Sequence, residues 1–160
     1  GSQMARFASA FSMKVLGYDT EKQYDDICTY APLEEVLKQS DFISIHLPLT
    51  DETKHFINAQ TLAPMKKGAY LINTSRGDIV NEADVLESLN SGRLAGYATD
   101  VLSGEVAFQG NCTNHPLVQF AKQHPNIIIT PHIGGMTHEA REATDIFIAQ
   151  KVQQWVYTNP

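Results

Sequence analysis

Three apolar, strand-like runs in this sequence each give way to a chemically loaded residue, and few folds can use that pattern. Ala69-Tyr70-Leu71-Ile72 leads through Asn73, Thr74 and Ser75 to Arg76 and a sharp turn at Gly77. Tyr97-Ala98-Thr99-Asp100 leads on to Glu105, and Ile127-Ile128-Ile129-Thr130-Pro131 leads to His132. In an open parallel α/β sheet, ligands bind in the crevice outside the carboxyl ends of the strands. An arginine, a glutamate and a histidine brought to that edge by three successive strands make a candidate catalytic set. Singly, each has a blander reading: Arg76 as a surface arginine, His132 as a structural histidine, Glu105 as a loop carboxylate. Their joint placement carries the argument.

The rest of the chain repeats the alternation of strand and helix, which predicts a parallel α/β sheet. Met4, Phe7, Ala8 and Phe11 share one helical face, and Lys14 to Asp19 reads as a short strand ending in an acid. A helix followed by such a strand is the second half of a dinucleotide-binding βαβ unit, where the acid accepts hydrogen bonds from ribose hydroxyls. Asp19 falls 18 residues after Gly1, near the customary spacing of about 20. The alternative is that Asp19 only opens a turn. Gly1 is either the last glycine of a G-x-G-x-x-G loop or, with Ser2, a cloning remnant.

Residues 25–29 read as a loop or edge. Pro32 opens a helix with Leu33, Val36 and Leu37 inward, and Phe42 to Leu47 is a strand stopped by Pro48. Helices are expected over 58–62, from the cap Asn81 with Val85, Leu86 and Leu89 buried, and over 117–122. Strands are expected over 94–99 and 126–130, and residues 103–117 read as a loop. A long helix is expected from Thr137 to about Tyr157, with Ile148, Val152, Trp155 and Val156 as its apolar stripe.

At 160 residues and 42% hydrophobic content, the chain has the size of about one domain. A net charge of −6 and a pI near 5.4 argue against a nucleic-acid surface. No apolar segment reaches the roughly 18 residues of a membrane helix, and the N-terminus lacks a secretory layout. Cys28 and Cys112 stand far apart and outside any CxxC pattern, as reduced thiols of a cytoplasmic protein would. No metal site is expected.

Four ordered segments carry a resemblance: His46-Leu-Pro-Leu-Thr50, Ile72-Asn-Thr-Ser-Arg-Gly77, Ala95-Gly-Tyr-Ala-Thr-Asp-Val101 with Glu105, and Thr130-Pro-His-Ile-Gly-Gly135. Over nearly its whole length the chain resembles the D-isomer-specific 2-hydroxyacid dehydrogenases, which include D-3-phosphoglycerate, glycerate and D-lactate dehydrogenases. The resemblance implies a Rossmann-like doubly wound parallel sheet over residues 1–136, binding NAD, and a C-terminal helix over 137–160 that in the family returns toward the substrate domain. It implies Arg76, Glu105 and His132 as the catalytic set, Gly1 as the last fingerprint glycine and Asp19 as the ribose acid. Asp100 would sit by the nicotinamide carboxamide. His46, Pro48, Thr50, Thr74, Ser75 and Gly134 would line the cofactor groove.

The implied chemistry suits these residue types. NAD exchanges hydride with a 2-hydroxy or 2-oxo acid, while the protein orients and moves protons. His132 would exchange the proton of the substrate oxygen, Glu105 would favour the imidazolium, and Arg76 offers a planar fork to the substrate carboxylate. Asp19 would repel a 2′-phosphate and so favour NAD over NADP, and the turn after it holds Lys22 but no arginine.

The family also has a separate substrate domain, a first strand and two further glycines that these residues lack. In the strand order 3-2-1-4-5-6 that first strand is central, and each buried backbone group it leaves unpaired costs about 1–3 kcal/mol. An incomplete sheet is therefore expected, completed by a partner segment, by a dimer that shares strands, or by rearrangement. Val106 stands where the family usually follows the glutamate with a proline. Two readings follow. One is an NAD-dependent dehydrogenase, a homo-oligomer expected as a dimer, acting on a small 2-hydroxy acid; the other is a non-catalytic NAD-binding or assembly protein of the same descent.

Overall fold

Short parallel strands alternate with helices in the computed structural model, which describes residues 1–21, 27–108 and 110–158. The helices are α1 (Ser2–Ala10), α2 (Leu33–Gln39), α3 (Ala59–Leu62), α4 (Glu82–Asn90), α5 (Pro116–Ala121) and α6 (His138–Thr158). The strands are β1 (Leu16–Gly17), β2 (Thr29–Tyr30), β3 (Phe42–Ile45), β4 (Ala69–Asn73), β5 (Leu94–Thr99) and β6 (Ile127–Ile129). Single 3-10 turns span Gly77–Ile79 and Glu105–Phe108. The chain divides into two compact units, Gly1–Ile129 and Thr130–Pro160.

Local chemistry accounts for the helix starts. Asn58 caps α3 by accepting the Gln60 and Thr61 amides, while the Thr61 hydroxyl accepts the Asn58 amide in return. Asn81 caps α4 through the amides of Ala83 and Asp84. Pro116 begins α5, where a missing N–H costs nothing. In the second unit, Thr137 Oγ1 accepts the Ala140 amide at the start of α6.

The strands form two parallel pieces, β1-β2 and β3-β4-β5-β6, and β1 is not paired with β3. The incomplete α/β sheet expected from the sequence is thus found, broken between those two strands. Within the larger piece the register sets Ile43 beside Leu71, Leu71 beside Tyr97, and Tyr97 beside Ile127. That face is the core: Leu71, Leu94, Tyr97 and Ile127 are buried together with Leu62, Ile79, Val85, Leu89 and Leu117 from the loops and helices. The opposite face, where Phe42 stacks on Tyr70 with ring centroids 5.1 Å apart, is open. Phe42, Tyr70 and Ile128 are 51%, 44% and 63% exposed, so the described residues cover this face only in part.

Two expectations need correction. The strand expected from Lys14 to Asp19 shrinks to Leu16–Gly17, paired among the described residues with the equally short β2. The stretch expected as a loop over 103–117 holds a 3-10 turn and the start of α5. The long helix expected from Thr137 is present as α6, and its apolar stripe is open: Ile148, Val152, Trp155 and Val156 are all more than half exposed. Lys22 and Asp25 lie outside the described residues.

Gly77 is fixed by close approach. A Cβ there would overlap the Leu102 carbonyl and the Ser103 amide nitrogen, all backbone atoms that cannot swing aside. Gly77→Ala is expected to cost about 1–3 kcal/mol through overpacking, read as a lower denaturant midpoint at unchanged slope. A wild-type midpoint would show that the two turns do not touch as described.

Candidate active site at the carboxyl edge of the strands

Arg76 owes its position to Asn73. The Asn73 side chain is fully buried at the end of β4, where its Oδ1 accepts the Ser75 amide at 3.0 Å and its Nδ2 donates to the Arg76 carbonyl at 3.0 Å. Its backbone carbonyl accepts the Asp100 amide at 3.0 Å and the Thr99 hydroxyl at 3.2 Å. Ser75 Oγ donates to the Ile45 carbonyl at 2.9 Å. The exits of β3, β4 and β5 are therefore laced together, and Arg76 is presented on the surface beside them.

Glu105 is held to the same edge by a second set of contacts. The Gly77 backbone packs on the Leu102–Ser103 peptide, and the Ser103 hydroxyl donates to Asp78 Oδ1. Glu105 Oε2 accepts the Leu102 amide at 3.1 Å, closing its own turn. Glu82, the first residue of α4, accepts the Ser103 amide on Oε1 at 2.9 Å and meets His115 Nε2 with Oε2 at 3.1 Å. The structure thus brings the Arg76 turn and the Glu105 turn into contact. Asn73, Asp78, Glu82, Ser103 and His115 were not among the residues singled out from sequence. Only Asn73 carried a signal, as a carboxamide ending an apolar strand.

Burial decides the charges of the Glu82–His115 pair. Pairing alone would pull the carboxyl down and the imidazole up, but both side chains are about nine-tenths buried. Burial pushes Glu82 up to about 7, helped by the like charges of Asp78 and Glu105 and opposed by the Ser103 amide. Burial likewise holds His115 below its ordinary value, against the pull of the Ser103 backbone.

The cofactor candidates of the first unit follow the same carboxyl edge. Asp19 is exposed just past β1, with Oδ1 accepting the Glu21 amide at 3.0 Å. Gly1 caps α1 and lies against His46, whose Nε2 is 2.9 Å from Ser44 Oγ. Burial lowers His46 from its ordinary value. Thr53 Oγ1 donates to the Pro48 carbonyl at 2.6 Å and accepts the Thr50 amide at 2.8 Å, fixing an exposed turn. That turn borders a concavity also lined by Leu49, Asp51, Lys54 and Asp78. Thr74 is exposed, Ser75 half-buried and Asp100 buried. An exposed acid after the first strand, a helix N-terminus and hydroxyls after later strands are the donor and acceptor set a dinucleotide needs, so these residues fit NAD.

In the second unit, His132 has a left-handed backbone, φ 54°, and its amide donates to the Thr130 carbonyl at 3.0 Å. Histidine enters that region more readily than most residues, but it remains an uncommon conformation that often marks functional positions. Gly134 lies exposed two residues further on.

The raised Glu82 has a definite consequence for stability. Its proton is held to about 7 in the folded chain but only to the ordinary 4.5 when unfolded. Across that window the native state binds more protons, so this contribution to stability is present below pH 4.5 and is lost as pH rises through 7. The thermal midpoint of Glu82→Gln relative to wild type should therefore climb between pH 4.5 and 7 and level off above. A difference that is flat with pH would show that burial does not raise Glu82.

The family model for the D-isomer specific 2-hydroxyacid dehydrogenase NAD binding domain matches residues 1–134. A glyoxylate reductase of Thermofilum pendens is 41% identical over 148 residues, covering 89% of this chain and 41% of the relative. A D-3-phosphoglycerate dehydrogenase of Bacillus subtilis is 40% identical over 159 residues, covering 97% of this chain and 29% of the relative. Among solved structures, D-lactate dehydrogenase from Aquifex aeolicus, complexed with NAD and lactic acid, superposes with a TM-score of 0.83 at 36% identity, covering 99% of this chain and 51% of that one. The chain spans about half the length, or less, of the relatives it matches. Matched by the model over most of its length, this chain belongs to the D-isomer-specific 2-hydroxyacid dehydrogenase family, whose NAD-binding domain it represents.

Proposed function

We propose that this chain supplies the cofactor-binding and proton-transfer residues of an NAD-dependent oxidoreductase interconverting D-2-hydroxy acids and 2-oxo acids. The observation that carries the reading is the interlocking of the Arg76 and Glu105 turns at the carboxyl edge of β4 and β5. When bound, NAD takes up or supplies the hydride at the substrate carbon. Arg76 presents its guanidinium to the substrate carboxylate, a planar two-point match that sets which face of the carbon is offered. His132 gives a proton to the carbonyl oxygen during reduction and removes it from the hydroxyl during oxidation. Glu105 stabilises the imidazolium form of that histidine.

The cofactor roles follow the edge. Gly1 opens α1, whose N-terminus would face the pyrophosphate, and Asp19 would accept the ribose hydroxyls and disfavour a 2′-phosphate. His46, Pro48, Thr50, Thr74 and Ser75 would line the groove, with Asp100 at the carboxamide and Gly134 allowing close approach. The lactic acid held with NAD by the Aquifex aeolicus relative supports a small 2-hydroxy acid as substrate. The exposed apolar side chains of α6 support a homo-oligomer, with a dimer as its simplest form.

Calorimetric titration of NADH is expected to show one saturable site per chain. His132→Ala should then lower kcat/KM for 2-oxo acid reduction by about 100- to 10,000-fold while leaving the NADH Kd unchanged. Arg76→Ala should act chiefly through a higher KM for the oxo acid. Full turnover by His132→Ala would refute the assignment, and saturable NADH binding with no turnover on any 2-oxo acid would favour the assembly reading.

A further inference from the structure

We propose that Glu82 is a positioning residue for Glu105: it holds the turn that carries Glu105 against the turn that carries Arg76. The proposal rests on the reading that Glu105 and Arg76 serve one reaction. Its basis is geometric. Glu82 is the first residue of α4, and the helix is anchored in the core through Val85 and Leu89. From that fixed point one carboxyl oxygen takes the Ser103 amide at 2.9 Å, and the other meets His115 at 3.1 Å, just before α5. Ser103 lies two residues before Glu105, and the neighbouring Leu102 amide is donated to Glu105 itself at 3.1 Å.

The turn is gripped from three directions. Gly77 leaves no room for the Leu102–Ser103 peptide to move inward, Asp78 accepts the Ser103 hydroxyl, and Glu82 accepts the Ser103 amide. Gly77 and Asp78 directly follow Arg76 in sequence, so the grip couples the two turns. His115 braces the far side of the carboxyl and is itself packed edge-on against Phe108, with ring centroids 5.4 Å apart. Phe108 closes the same 3-10 turn that Glu105 opens. Glu82 therefore holds one end of the segment bearing Glu105 directly, at Ser103, and reaches the other, at Phe108, through His115. A glutamine at this position keeps an acceptor for the Ser103 amide and a donor for His115 Nε2, whereas alanine keeps neither.

The test compares Glu82→Ala and Glu82→Gln in the full chain by two readouts. In amide hydrogen exchange, Glu82→Ala should speed exchange at Ser103 and Leu102 by about 10- to 100-fold, leaving Leu71 in β4 and Tyr97 in β5 at wild-type protection. Glu82→Gln should keep that protection. In steady-state reduction of a 2-oxo acid, Glu82→Ala should lower kcat by about 10-fold or more with the NADH Kd unchanged, and Glu82→Gln should restore it to within about 3-fold. Unchanged exchange at Ser103 in Glu82→Ala overturns the grip. Faster exchange throughout β4 and β5 overturns it in favour of a general structural role. Equal kcat in the two variants, with the exchange pattern as expected, overturns the link to catalysis. No turnover by the wild-type chain overturns the underlying reading of the site, and the exchange measurement tells that failure from failure of the grip.

Discussion

The Asn73 side chain is the interaction on which the carboxyl edge depends. It is fully buried, so each of its polar groups would cost about 1–3 kcal/mol if left without a partner. Both groups are satisfied within the next three residues, by the Ser75 amide and the Arg76 carbonyl. That bends the chain out of β4 in one defined way. The same residue's carbonyl receives Asp100 and Thr99 from β5, while Ser75 reaches β3. A local demand for hydrogen bonds is thereby turned into a fixed relation among three strand ends. The candidate site residues that follow those ends inherit their spacing from it.

What could be read in the letters, and what could not, divides along this line. The order of strands and helices was legible because apolar runs and caps are local signals: Asn58, Asn81 and Pro116 each stand where a helix begins. The candidate residues at Arg76 and Glu105 were legible because each follows a strand. The grip between their turns was not. It depends on Gly77 meeting Leu102 and Ser103, 25 and 26 positions away, and on Glu82, which in sequence is one more acid in the first turn of a helix. Nothing in a helical first turn distinguishes a carboxylate that favours the dipole from one that reaches across to another loop.

Burial patterns set a similar limit. Ile127-Ile128-Ile129 reads as a strand buried on both faces, as parallel strands usually are, yet Ile128 is 63% exposed. Cover for a sheet face comes from other elements, so a strand's own residues cannot report its absence. The stripe expected on α6 illustrates the same limit: Ile148, Val152, Trp155 and Val156 have the spacing of a face that could be buried, and they lie exposed. Apolar periodicity states what a helix could bury, and packing states what it does bury.

The acids near the two turns add an electrostatic constraint. Asp78, Glu82 and Glu105 crowd one edge, and three ionised carboxylates there would repel one another while the most buried also paid for desolvation. Burial and the charges of the other two push the proton onto Glu82. Glu82 is therefore the member that spends its capacity inside the protein, on Ser103 and His115. Protonated, it supplies a donor as well as an acceptor, which suits a group wedged between an amide and an imidazole. Ionised, it would carry a buried charge beside two like charges, with His115 held in its neutral form by the same burial. The edge can thus hold several acids close together because burial raises Glu82 to about 7, while Asp78 and Glu105 accept hydrogen bonds from Ser103 and Leu102.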